Sequence, residues 1–155
     1  MADHKPPRFK GDERATLTGL LQYQRESFIR KVSGVEHEAA AAPPVPSGTS
    51  LLWLANHMAD AESSWVLARF AGWPPADAMK PHAATVEGAV DRYRDVLGHV
   101  DAVVRAADLD DVCPPFDDQP AVNLRWILAH LLEETARHAG HADILRELVD
   151  GQTGR

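Results

Sequence analysis

The run His130-Leu131-Leu132-Glu133-Glu134-Thr135-Ala136-Arg137-His138-Ala139-Gly140-His141 sits inside a longer stretch, Asn123 to Val149, whose apolar residues recur at helical spacing. Residues three and four apart share a helix face, so His130, Glu134, His138 and His141 fall on one stripe. Ile127 precedes that stripe by a turn, and Leu145 and Leu148 continue it, so the spacing predicts imidazoles and a carboxylate in the middle of an inward face. Burying such groups unpaired costs roughly 1–3 kcal/mol each, and a helix built this way needs a compensating partner. A second apolar line, Leu124, Leu128, Leu131, Thr135, Ala142, Leu145 and Val149, broadens the face, with Asn123 as its cap and Gly151 as its stop.

Three further segments have the same period. The first runs from about residue 12 to 32, with Leu17, Leu20, Leu21, Gln24, Phe28 and Val32 inward and charges on the other side. An alanine-rich link into Pro43, Pro44 and Pro46 then reads as a crossover loop, since proline lacks the donor a helix interior needs. The hydroxyls between residues 47 and 50 can cap a second helix from about residue 51 to 70, with Leu51, Leu54, Met58, Ala61, Trp65 and Ala68 inward and His57 inside that arc. Gly72 and the following Trp-Pro-Pro stop it. Thr85 caps a third helix, with Glu87 in its first turn and an inward stripe of Val86, Val90, Tyr93, Leu97, Val100, Val104 and Ala107. Residues 108–120 are acidic and proline-bearing, a loop placed to overhang one end of a bundle. With no strand signal, the expectation is an all-α four-helix bundle with crossover loops.

At 155 residues and 45% hydrophobic content the chain suits one domain, residues 1–155, with residues 1–11 expected to be flexible. A net charge of -7 and a pI near 5.5 argue against an electrostatic grip on nucleic acid or an anionic membrane. Small molecules or other proteins are the expected partners. Cys113 is the one cysteine, so no intrachain disulfide can form and a reducing cytoplasm is the expected setting. No signal-type apolar run opens the chain, and none reaches the roughly 18 to 20 residues of a membrane span.

Bundles build metal sites from side chains aimed inward by facing helices. Glu134 and His138, at i and i+4, can supply two ligands, and His57 is the other histidine expected on a buried face. Two imidazoles and a carboxylate suit zinc or another borderline divalent ion, and three protein ligands leave a position open, as in catalytic sites. An ordinary helix-surface pair between Glu134 and His138 is the plainer alternative.

The segment Ser50-Leu51-Leu52-Trp53-Leu54-Ala55-Asn56-His57-Met58-Ala59-Asp60-Ala61-Glu62-Ser63-Ser64-Trp65 resembles the part of the DinB superfamily that carries its first metal histidine, followed by a characteristic Glu and Trp. The last helix, with Glu134, His138, His141, Asp143 and Glu147, and the opening run from Tyr23 to Lys31 resemble the DUF664 branch. The resemblance implies a DinB-like bundle similar to mycothiol-dependent maleylpyruvate isomerase, with a divalent metal held by His57, Glu134 and His138. Zinc is the expected ion and nickel the second candidate. Many DinB members have His where this chain has Glu134, while the isomerase relatives share the Glu. His141 falls where other members often have Gln, which makes it a candidate for supporting a ligand or facing substrate, or a substitute ligand in a shifted register. His130 is expected to pack or hydrogen-bond one turn above the metal.

The resemblance implies a transferase or isomerase using a low-molecular-weight thiol such as mycothiol, with a small-molecule electrophile as second substrate. The same parts could activate water for hydrolysis, and a non-catalytic, stress-related binding bundle stays open, as does a homodimer. Trp53, Trp65 and Trp126 are expected to fill the core. Glu133 and Arg137 are expected to form an exposed ion pair. His4, His37, His82 and His99 carry no assigned role, and neither does Cys113, which has no neighbouring base in the sequence.

Overall fold

A computed structural model describes residues 5–8 and 10–153. Four long helical segments account for most of the chain: α1 (Glu13–Val32), α3 (Leu51–Glu62) continued by a π-helix (Ser63–Phe70), α5 (Val86–Ala106) and α6 (Leu124–Asp150). This is the all-α bundle expected. The helix starts lie where the hydroxyl and amide caps place them. Ser50 accepts from the Trp53 N–H at 3.1 Å, Thr85 from Gly88 at 3.1 Å and Asn123 from Trp126 at 2.9 Å, each meeting a donor the first turn leaves free. Gly151 ends α6 at φ 73°, a left-handed conformation that glycine adopts without a Cβ clash.

α1 packs chiefly on α6 and α3 chiefly on α5, with α3 also against α6. The links from α1 to α3 and from α5 to α6 therefore join helices that are not principal packing partners, so both are crossovers. Two short helices interrupt the loops, α2 (His37–Ala41), capped by the Glu36 carboxylate, and α4 (Pro75–Ala78), which places a proline in its first turn, where the missing N–H is not needed. The loop before α6 is not structureless. Its β1 (Val112–Cys113) and β2 (Val122–Asn123) pair antiparallel, with Cys113 opposite Val122. Phe116 and Gln119 exchange backbone bonds of 3.2 and 3.0 Å around a tight turn, in which Asp117 takes φ 49°. The pairs are too short to show period-2 patterning, and Cys113 is buried rather than on an open loop. Part of the N-terminal segment expected to be flexible, residues 1–4 and 9, lies outside the described residues, as does His4.

The core gathers Phe28, Leu51, Leu54, Met58, Val66, Tyr93, Leu124, Ile127, Leu128 and Leu131, all at most 1% exposed. Three inward expectations need correction. On α1 the cations Arg25 and Lys31 are buried at 3% exposure, while Leu17 is only partly covered. Arg25 donates to both oxygens of Glu62, at 2.7 and 2.5 Å, and to Asp101 at 2.9 Å, and Lys31 is paired with Asp143. The inward arc of α3 is rotated toward Ala55, Ala59 and Glu62, since Ala61, Trp65 and Ala68 are only partly buried. Leu148 is 58% exposed, because the inward face of α6 shifts to Arg146, whose guanidinium donates to the carbonyls of Lys31 and Ser33. Charge can enter these positions because another helix supplies a counter-charge or a carbonyl. Burial alone would lower the pKa of Arg25, but the Glu62 carboxylate more than reverses this and holds it above its ordinary value. Tyr93, whose OH donates to Glu62 at 3.3 Å, is kept neutral by burial and by that same carboxylate.

Candidate metal centre

α3 and α6 bring three expected residues together. His57 Nε2 and His138 Nε2 each lie 3.1 Å from the same Glu134 oxygen, Oε1. All three donor atoms fall within 4.8 Å of one another. Ligand bonds of about 2.0–2.2 Å set donors roughly 3.3 Å apart around a tetrahedral zinc, so the spacing fits such an ion with small adjustments. Glu134 and His138 do form the one-helix pair, and His57 from α3 joins it at the same oxygen. Glu134 is 22% exposed, His57 31% and His138 12%, so the cluster opens to solvent on the His57 side.

Burial by itself would raise the Glu134 pKa, but the hydrogen bond from His57 and the charge and hydrogen bond of His138 hold it below 4.5. His138 is pushed below 6.5, first by burial and further by His57 and His141, against the opposing pull of Glu134. A carboxylate and a neutral imidazole are the forms that ligate. Both shifts have the same sign for stability. The unfolded chain takes up each proton first, so the His138 contribution is complete above 6.5 and fades as pH falls through its lowered folded value, and the Glu134 contribution does the same below 4.5. The melting temperature of metal-free protein should therefore fall in two stages on acidification. The upper stage should be missing from His138→Gln, as thermal scans across pH would reveal.

His141 Nδ1 lies 3.2 Å from His138 Nδ1, on the ring edge away from Glu134. One of the two nitrogens donates, and the contact fixes how the His138 ring is turned, as outer partners of metal-binding histidines do. His141 is therefore in contact with the candidate ligand His138 and adds no donor atom to the three-residue group. His130 stands one turn away, packed edge-on to Trp65 with ring centres 4.8 Å apart and stacked on Trp126 at 5.0 Å. It packs as expected, and among the described residues it makes no hydrogen bond.

The tryptophans do not fill the core. Trp53 is 47% exposed and Trp126 45%, and Trp65 is partly covered. Trp53 stacks on the His57 ring, 4.8 Å between centres and 8° between planes, while Trp65 and Trp126 lie 5.3 Å apart. They line the seam of α3 and α6 on both sides of the candidate ligands. The i and i+4 spacings of Trp53 with His57 and Trp126 with His130 were the available sequence signal, since such pairs share a helix face. The π-helix had none. Pi-helical turns are frequent at functional sites, and this one lies just beyond the ligand turn. Glu133 and Arg137 form the exposed pair expected, at 3.6 Å.

A family model described as mycothiol-S-transferase matches residues 16–151. The chain belongs to the mycothiol-S-transferase family. The DinB-type resemblance read from the helices is thereby placed, and the family gives the protein a mycothiol-related, metal-dependent role at its coarsest. A crystal structure of a conserved protein from Enterococcus faecalis is similar in fold, with a TM-score of 0.67 and 19% identity over 88% of this chain and 96% of that one. No curated protein matches this mycothiol-S-transferase family member. Among the described residues no helix is long and apolar enough to cross a membrane.

Proposed function

We propose that this protein transfers a low-molecular-weight thiol of the mycothiol type to a small electrophile, with a divalent ion held by His57, Glu134 and His138. The observation that carries the reading is the convergence of two imidazole nitrogens and a carboxylate oxygen from two helices, open on one side, in a chain of this family. Zinc suits the donor set best and nickel is the second candidate. An ion bound there would supply a Lewis-acid position at which a thiol ionises near neutral pH.

The chain's own residues do the rest. Glu134 offers one oxygen to both imidazoles and so keeps His57 and His138 facing each other across the helix seam. His141 holds the orientation of His138 from behind. Trp53 covers one face of His57 and leaves the solvent-facing side as the way in. Val45, Ser47, Thr49, His141, Ile144 and Leu145 line a cavity of about 260 Å³ beside the cluster, large enough for part of a thiol substrate. A reducing cytoplasm suits both this chemistry and the lone thiol of Cys113.

The test is direct. Mycothiol with zinc-loaded protein and a model electrophile such as monochlorobimane should give a thioether adduct by mass spectrometry, at a rate that collapses in His57→Ala with helical circular dichroism retained. Ester or amide cleavage in place of the adduct would move the chemistry to hydrolysis. No bound metal and no turnover of either kind would reduce the protein to a binding bundle.

A further inference from the structure

Arg69 lies in the π-helix at the far end of the α3 and α6 seam. Its guanidinium carbon sits 4.1 Å above the Trp65 ring centre and 5.4 Å from that of Phe116, so the cation is stacked between a helix and the hairpin before α6. Nη1 donates to Gln119 Oε1 at 2.6 Å. Nε and Nη2 are shielded from solvent and have no acceptor among the described residues. These two nitrogens form the edge of the guanidinium that pairs with a carboxylate through two parallel hydrogen bonds. Gln119 takes the other side, the rings flank the guanidinium, and the fork is covered but has no acceptor among the described residues. A shielded donor without a partner is costly, so a group that satisfies both donors binds with that cost removed.

We propose that Arg69 anchors a second binding site, for the carboxylate of a flat organic acid, at the hairpin end of this seam. Charge selects an anion and the two-pronged edge selects a planar one. The neighbouring rings of Trp65, Trp126, His130 and Phe116 select a flat apolar body. Phe116 is 55% exposed at the hairpin turn and lies outside the core, so opening the site to such a ligand calls on the hairpin and leaves the core in place. The guanidinium lies at the level of Trp65, eight positions past His57, or about 12 Å along the axis at helical rise. The anchor and the candidate metal centre thus lie on the same seam of α3 and α6, with Trp65, Trp126 and His130 along it. If the protein transfers a thiol, the acid is its electrophilic partner; that role rests on the proposed function, while the anchor itself does not.

Benzoate, which occupies only the anchor end, and its neutral isostere benzamide are the probes. Calorimetric titration of the full chain should give saturable benzoate binding, with benzamide weaker by roughly tenfold or more, as loss of a charge-assisted pair requires. Arg69→Met should lose benzoate by a similar factor with helical circular dichroism and bound zinc unchanged. Arg69→Lys should stay nearly as weak, because an ammonium keeps the charge without the fork. Binding should persist in chelator-stripped protein, which separates this anchor from benzoate ligation to the metal and lets it stand or fall apart from the catalytic proposal. Equal benzamide affinity, full affinity in either variant, loss of binding on metal removal, or tighter binding of inorganic phosphate would each overturn the proposal.

Discussion

Replacing His138 by alanine is expected to abolish metal binding at the proposed centre. The residue supplies one of three converging donor atoms, and its ring is the least exposed of the cluster at 12%. Removing an outer partner of a metal ligand typically weakens binding by about 10- to 100-fold, so losing the ligand itself should cost roughly a thousandfold or more. His141→Ala, which removes only the 3.2 Å contact behind His138, should fall within the smaller range. Elemental analysis of untagged protein, followed by competition with a chromophoric zinc chelator, reads both. One equivalent of zinc retained by His138→Ala would end the three-ligand assignment. Equal losses in the two variants would make His141 a ligand in its own right. Glu134→Gln should behave like His138→Ala, because a neutral amide is a poor ligand and no longer balances the ion's charge.

The second large effect is expected at Glu62, away from the candidate metal centre. Its carboxylate is 0% exposed and accepts from Arg25 and Tyr93. Glu62→Ala leaves the Arg25 guanidinium buried, with Asp101, whose side chain is 42% exposed, as its remaining acidic partner. Breaking a buried pair from one side costs about 3–5 kcal/mol, and the surviving contact to Asp101 points to the lower end. At this chain length that lowers the melting temperature by roughly 6–12 °C. The double variant Arg25→Met with Glu62→Met should recover most of the loss, since no buried charge is then left unpaired and the freed Asp101 carboxylate, 42% exposed, stays in water. Urea unfolding of the set would decide. Equal stability of Glu62→Ala and the wild type would mean that water reaches Arg25 and that the network contributes little.

The contrast between these two sites explains what was legible in the sequence. At the candidate metal centre, Glu134 and His138 stand one turn apart on a single helix, and an apolar helix face interrupted by such groups is visible in one dimension. His57 followed because it was the other histidine placed on an inward arc. At Glu62 the order of residues offered nothing comparable. Arg25 is 37 positions away and reads as part of a solvated face, and Glu62 stands out in the sequence only as the Glu of the DinB-type segment, with no partner named. The same holds for Lys31 with Asp143 and for Arg146 with the end of α1. The tryptophans were misplaced for a related reason. Large apolar area favours the interior, but Trp53 and Trp126 border a seam whose two sides belong to helices far apart in the chain.

Local chemistry settled what one helix can decide alone. Hydroxyl and amide caps set the starts of α3, α5 and α6, glycine set the end of α6, and apolar spacing set the number of long helical segments, because each acts through bonds and contacts within a few residues. The stripe on α6 was fixed in the same way. Tertiary structure decided the pairing of α1 with α6 and α3 with α5, the burial of Arg25 and Glu62, the short hairpin over Arg69 and the approach of His57 to Glu134. Those outcomes depend on two distant segments meeting. The free energy of a buried charge is set by the partner that arrives opposite it, and its own neighbours along the chain do not name that partner.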